Sequence, residues 1–243
     1  MNNLLLILTP ALSAFICACW IHPYVLKVAK VKNIVDNPDA RKLQHIPIPI
    51  LGGLTVVFGI LSGIMCFNLI GEQVDLFPVF ASIFIILIVG LLDDIISLSP
   101  KVRFVVEIIL VIYIIFTTDY QINDFHGLWG VNRISNYISI PLTVFACVGI
   151  INAINLIDGV DGFSSGYTIV SCLLFGIIFY NLGNIQMVTL ADIVASSLAP
   201  FFLHNVFGKK SKMYIGDAGT LPLGVIFSVF VINIISSDTT TIS

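Results

Sequence analysis

The chain has 243 residues, 58% of them apolar and only 10% charged, with a mean hydropathy of +1.05 and a formal net charge of −3. A soluble domain carries about 25% charged residues. A water-soluble enzyme, a disordered chain and a nucleic-acid binder are therefore excluded together. A hydrocarbon layer of ~30 Å is crossed by roughly 20 apolar residues in a helix, which leaves room here for about eight spans with short loops. The fold class this implies is all-α: a polytopic membrane protein, with residues 1–243 as one domain.

Residues 4–26 form the first predicted span. Trp20, His22, Pro23 and Tyr24 follow its apolar core where a secretory leader would carry a small-residue cleavage site, so the segment is expected to be a retained helix. Further spans are expected at 50–70, 77–92, 102–118, 137–154, 163–181, 187–207 and 220–236. Asn181-Leu-Gly-Asn184 reads as the turn that divides a long uncharged run. Glu107 is the acidic residue expected within a span, and His22 and His204 are expected to be interfacial. Cys17, Cys19, Cys66, Cys147 and Cys172 lie in apolar runs without metal-ligand spacing and read as packing residues.

The charges sort by side. Lys27, Lys30, Lys32, Arg41 and Lys42 follow the first span, Lys101 and Arg103 the third, and Lys209, Lys210 and Lys212 the seventh. With eight spans, ten of the eleven basic residues share one face, leaving Arg133 on the other. The positive-inside rule makes that face cytoplasmic and puts both termini outside. Asp36, Asp39, Asp93, Asp94, Asp158, Asp161 and Asp217 fall on the same face.

Three acidic, glycine-flanked clusters meet there. Asp93-Asp94 ends the third span, where adjacent carboxylates repel and desolvation raises the cost. Asn152, Asn155, Asp158 and Asp161 recur at every third position, followed by glycines that admit a close ligand. Asp217 lies between Gly216 and Gly219 at the opening of the last span, and a helix N-terminus suits phosphate. Singly, each has a plain reading: a solvated helix end, interhelical hydrogen bonding, or a capped turn. Jointly, beside basic residues, they describe a metal-dependent site for a phosphorylated substrate.

Four blocks resemble the polyprenyl-phosphate N-acetylhexosamine-1-phosphate transferases, which include the phospho-MurNAc-pentapeptide transferases. They are Asp36-Asn-Pro38-Asp-Ala-Arg41-Lys42-Leu-Gln-His45 with Pro47 to Gly53, Gly90-Leu-Leu-Asp93-Asp94 with Ser99 to Arg103, Asn152 to Gly162, and Asn205-Val-Phe-Gly with Gly216 to Gly219. The first block is more similar to the O-antigen and teichoic acid branch than to the peptidoglycan branch. The resemblance implies transfer of a sugar-1-phosphate from a UDP-N-acetylhexosamine to undecaprenyl phosphate, releasing UMP and initiating a cell-surface polysaccharide. It implies Mg²⁺ (or Mn²⁺) as cofactor, the bacterial cytoplasmic membrane as location, and a homodimer by analogy.

Carried over by position, Asn155 and Asp217 resemble the metal ligands, and Asp93, Asp94 and Arg103 the catalytic group at the reacting phosphates. Asn152, Asp158, Asp161, Tyr214, Arg41, Lys42 and His45 resemble the nucleotide- and substrate-binding set, with Tyr214 where an aromatic ring stacks on uracil. Glu107 stands where many members have glutamine, and Asn205 and Asp217 lie two residues further apart than in many members. Relatives continue for about two more helices and a sugar-binding loop, whereas this sequence stops at Ser243, so a compact member or a truncated, inactive one is the alternative expectation. A phospho-MurNAc-pentapeptide transferase is a nearer alternative. A secondary transporter is a distant one, since it would place acids at the bilayer midplane.

Overall fold

The structure is a computed structural model, and it describes residues 3–37, 47–70, 77–125, 127–158, 162–208 and 210–236. The described residues contain eight α-helices: α1 (Asn3–Val31), α2 (Gly52–Ile70), α3 (Phe77–Ile96), α4 (Pro100–Thr118), α5 (Asn136–Leu156), α6 (Phe163–Asn181), α7 (Ile185–Phe207) and α8 (Asp217–Ser236). All but α4 are long and apolar enough to cross a membrane. Helix α4 is of similar length but holds Lys101, Arg103 and Glu107. The chain is thus a multi-pass, all-α membrane protein.

Local chemistry sets the helix ends. The Ser99 hydroxyl accepts from the Val102 amide at 3.4 Å, and Pro100 opens α4 where no amide is needed. Asn184 likewise caps α7 by accepting from Met187 N–H at 3.2 Å, and Gly183 takes the left-handed conformation that the turn before it requires.

Three boundaries differ from the sequence reading. Helix α1 runs on to Val31, so Lys27 and Lys30 are helical rather than in a loop. Helix α3 runs to Ile96, which puts Asp93 and Asp94 within its last turns. Helix α8 starts at Asp217, three residues before the expected span. Charged residues at a span's end lower its hydropathy without breaking its backbone hydrogen bonds, so an apolar-run criterion stops too early.

Helix α8 is the hub: 83% of its apolar window is buried, against 17% for α1 at the periphery. It packs on α2, α3 and α5 through glycine contacts. A Cβ on Gly53 would come within 2.2 Å of the Gly219 nitrogen, one on Gly90 within 2.4 Å of the Asp217 carbonyl, and one on Gly224 within 2.6 Å of Ile151 Cα. Small residues admit this backbone approach, which is how helices gain packing energy in lipid. Phe175 and Phe179 of α6 interlock with Phe227 and Phe230 of α8.

The connections after α1, α3, α5 and α7 meet at one end of the bundle. A short antiparallel pair, β1 (Val35–Asp36) with β2 (Ile48–Pro49), lies beside α1 there. Gly52 N–H donates to the Tyr214 carbonyl (2.9 Å), Tyr214 N–H to the Pro49 carbonyl (2.8 Å), and Lys30 Nζ to the Lys210 carbonyl (2.8 Å). For the charges among the described residues, the segregation seen in the sequence is therefore one of space as well.

One reading gains detail and one is corrected. His22 is buried and stacks on His204 with ring centroids 4.1 Å apart, while its Nε2 meets the Ser211 carbonyl at 3.0 Å. The pair ties α1 to α7, with His22 in the packed interior and His204 half-buried. Asp192, in the eighth position of α7, is an acidic residue away from the ends of its helix, as Glu107 is in α4. It is half-buried facing α6, where a Cβ on Gly176 would lie 3.7 Å from its Oδ1.

Candidate active site

The start of α8 lies among the ends of α3 and α5, the first turns of α4 and the opening of α2. Asp94 spends both carboxylate oxygens on α8: Oδ1 accepts from Asp217 N–H at 2.9 Å and Oδ2 from Ala218 N–H at 3.0 Å. Asp158 Oδ2 accepts from Gly216 N–H at 3.0 Å. Two carboxylates, one from α3 and one from the turn after α5, thus satisfy three consecutive amides that a helix start leaves without intrahelical partners. Their charge also opposes the positive end of the helix dipole. Gly216 has φ +69°, and a Cβ there would lie 2.3 Å from the Ile50 carbonyl and under 3 Å from both Asp94 oxygens. The turn needs glycine on both counts.

Asp93 faces the other way. Its Oδ1 accepts from Leu98 N–H at 2.7 Å, closing the turn after α3. Its Oδ2 accepts from Arg103 Nη1 at 3.2 Å. The same Nη1 lies 3.5 Å from Asp217 Oδ2, and Arg103 Nε lies 3.5 Å from Glu107 Oε1. One guanidinium therefore bridges three carboxylates from α3, α4 and α8. Glu107 is fully buried and its Oε2 accepts from Asn152 Nδ2 at 2.6 Å. Asn152 also donates to the Val148 carbonyl at 2.9 Å. Asn155 Nδ2 donates to Asp217 Oδ1 and, at 2.8 Å, to Thr220 Oγ1.

The structure brings together Asp93, Asp94, Arg103, Asn152, Asn155, Asp158 and Asp217. Tyr214 stands in the adjoining segment before α8 and is buried. Arg41, Lys42, His45 and Asp161 lie outside the described residues. Two participants had no assigned role in the sequence. Thr220 is one helical turn beyond Asp217. Asn205 accepts from Gly162 N–H and donates to the Met213 carbonyl, both at 2.6 Å, joining the α5–α6 and α7–α8 connections. Its place in a motif was visible, but its partners lie 43 and 8 residues away.

Apolar walls adjoin this polar cluster. A cavity of about 440 Å³ opens between α4 and α5, lined by Phe104, Ile108, Val144, Phe145 and Val148 and ending at Asn152.

Residues 76–235 match the profile of "Glycosyl transferase family 4". The chain belongs to that family. Similar curated proteins include a "Probable undecaprenyl-phosphate N-acetylglucosaminyl 1-phosphate transferase" of Bacillus subtilis (strain 168), 31% identical over 210 residues. That alignment covers 86% of this chain and 58% of the relative. An "Undecaprenyl-phosphate alpha-N-acetylglucosaminyl 1-phosphate transferase" of Escherichia coli (strain K12) is 28% identical over 232 residues, covering 91% of this chain and 61% of the relative. A "Phospho-N-acetylmuramoyl-pentapeptide-transferase" of Streptococcus equi subsp. zooepidemicus is 28% identical over 236 residues, covering 89% and 70%. The chain thus spans about three fifths of the length of the first two relatives. The family 4 match takes in all four elements that supply the polar cluster, α3, α4, α5 and α8.

Proposed function

We propose that this family 4 protein transfers an N-acetylhexosamine-1-phosphate from a UDP-sugar to a polyprenyl phosphate and releases UMP. The observation that carries the reading is one juxtaposition. Carboxylates shared by Arg103 are joined to an apolar cavity through Glu107, which ion-pairs with Arg103 and accepts from Asn152 in the cavity lining. A lipid phosphate has this two-part character, an apolar chain and an anionic head. Two of the relatives are named for N-acetylglucosaminyl 1-phosphate transfer with undecaprenyl phosphate, and the third for phospho-N-acetylmuramoyl-pentapeptide transfer, which supports the same chemistry.

In the reaction, an oxygen of the acceptor phosphate bonds to the β-phosphorus of the UDP-sugar. The bond from that phosphorus to the bridging oxygen breaks, and UMP leaves with the electron pair. A phosphate monoester is mostly ionised at pH 7, so the attacking oxygen needs no general base. The protein's work is then positioning and charge compensation. Among the described residues of the cluster, Arg103 is the cation able to meet the phosphates. Asp93 orients it, and Asp94 and Asp158 hold the turn that presents Asp217.

The donor set fits a hard divalent cation. Asp93, Glu107 and Asp217 set three formal negative charges against the single positive charge of Arg103. Among the described residues no three His, Cys, Asp or Glu side chains form a ready metal cluster. Mg²⁺ needs only one or two carboxylates, filling its shell with water and substrate phosphate. Asp217 and Asp93 would hold it, joined by Asn155 once its amide rotates to present oxygen, and Mn²⁺ suits the same oxygens. When bound, the ion neutralises charge on the diphosphate. The basic residues at this end favour the cytoplasmic side for it, where nucleotide sugars are made.

The test is UMP release by purified protein in detergent, supplied with undecaprenyl phosphate, Mg²⁺ and a panel of UDP-N-acetylhexosamines. Release that requires both lipid and Mg²⁺ is expected, and the best substrate names the sugar. UMP formation indifferent to the lipid would refute the reading.

A further inference from the structure

We propose that Glu107 is a positioning residue that locks Arg103 and Asn152 into one unit, coupling the apolar groove to the polar cluster. The inference rests on the transferase reading for its effect on turnover, but its structural half stands alone. Glu107 is wholly buried, and each of its oxygens faces one of these two groups. Oε2 takes the Asn152 amide at 2.6 Å, and Oε1 faces Arg103 Nε at 3.5 Å with no hydrogen bond of its own. Asn152 ends the groove between α4 and α5, while Arg103 reaches Asp93 and Asp217 through Nη1. The carboxylate is thus the link between the element that lines the groove and the cation that meets the acids.

A carboxylate is uncommon at a wholly buried position unless it is paired. Here its charge orients the guanidinium: with Nε drawn to Glu107, the Nη1 edge points at Asp93 and Asp217. Without that charge the guanidinium is held by Nη1 alone and can pivot. The Asn152 amide, held by Glu107 on one proton and by the Val148 carbonyl on the other, keeps one orientation at the end of the groove. A lipid head arriving along the groove then meets a fixed amide and a fixed guanidinium together.

The variant is Glu107→Gln, which keeps shape and still accepts from Asn152 but turns an amide toward Arg103. Two readouts are used on the full chain in detergent. The first is phenylglyoxal labelling of Arg103 by mass spectrometry, in a chain whose other arginines are Arg41 and Arg133. Labelling at Arg103 is expected to rise several-fold while Arg133 labelling stays constant. Unchanged labelling at Arg103 overturns the proposal whatever the protein catalyses. The second readout is steady-state UMP release. A fall in kcat of roughly 100-fold is expected for a displaced phosphate-facing group, with the KM for nucleotide sugar unchanged. A variant with wild-type kcat overturns the coupling. If labelling rises but the unmodified chain releases no UMP, the Glu107 lock stands and the transferase reading is what fails. Glu107→Asp keeps the charge and is expected to restore low Arg103 labelling, which a purely steric role would not produce.

Discussion

Asp94 tests whether the paired aspartates share one role. Both of its oxygens accept backbone amides at the start of α8, at 2.9 and 3.0 Å. Asp94→Asn retains one acceptor and turns an NH₂ group toward a second N–H. One charge-assisted hydrogen bond, each worth about 1.5–3 kcal/mol, is lost and a buried amide is orphaned. The favourable contact of a negative charge with the helix N-terminus, about 0.3–1 kcal/mol, is lost with it. The expected destabilisation is about 2–4 kcal/mol. For a chain of this size that is a fall in Tm of about 5–15 °C. Thermal unfolding in detergent, followed with a thiol-reactive dye that reports the buried cysteines, measures it. Asp93→Asn, which leaves the α8 amides satisfied, is the control and should shift Tm less. If Asp94→Asn melts like the wild type, the carboxylate is not the cap described here, and a direct role at the substrate becomes the better account.

Three further expectations concern neighbouring contacts. Asp217→Asn should fold normally yet lose Mg²⁺-dependent turnover, and normal turnover would remove Asp217 from the metal site. Asn205→Ala leaves the Gly162 amide and the Met213 carbonyl unpaired in a buried setting, at about 1–3 kcal/mol each. A Tm within 2 °C of the wild type, against a scale of about 2–4 °C per kcal/mol, would count against that bridge. Gly53→Ala forces a methyl to within 2.2 Å of the Gly219 backbone nitrogen. It should destabilise by about 1–3 kcal/mol through overpacking and cut turnover by moving α8, whereas Gly149→Ala, which meets nothing within 4 Å, is the matched control.

Much of the bundle was legible from local properties. Apolar run length located all eight helices, and the Asn181–Asn184 turn fell where Gly183 and the Asn184 cap now place it. The candidate site was legible as a group of residues that meet in space, because Asp93, Asn152, Asn155, Asp158 and Asp217 stand in short, glycine-flanked blocks. Their division of labour was not. Asp93 and Asp94 are adjacent in sequence, yet successive helical residues point about 100° apart. One consequently faces Arg103 and the other the α8 amides. Glu107 could be read as a charge inside a span, but its partners sit four residues before it on its own helix and 45 residues away on α5. His22 and His204 looked interfacial because both lie near span ends; only the packing of α1 on α7 shows that they meet.

By itself, the sequence determined the membrane class, the number and rough limits of the helices, and the gathering of charge on one face. Each of these follows from composition within a single segment: the hydrocarbon layer sets a length, and every charge must leave it or be paired. The tertiary structure decided which carboxylate caps a helix, which shares a guanidinium, and which joins the groove to the polar cluster. Those roles depend on side-chain direction and on glycine contacts between helices that are distant in the chain, where a shift of one position along a helix exchanges a helix cap for a partner of Arg103.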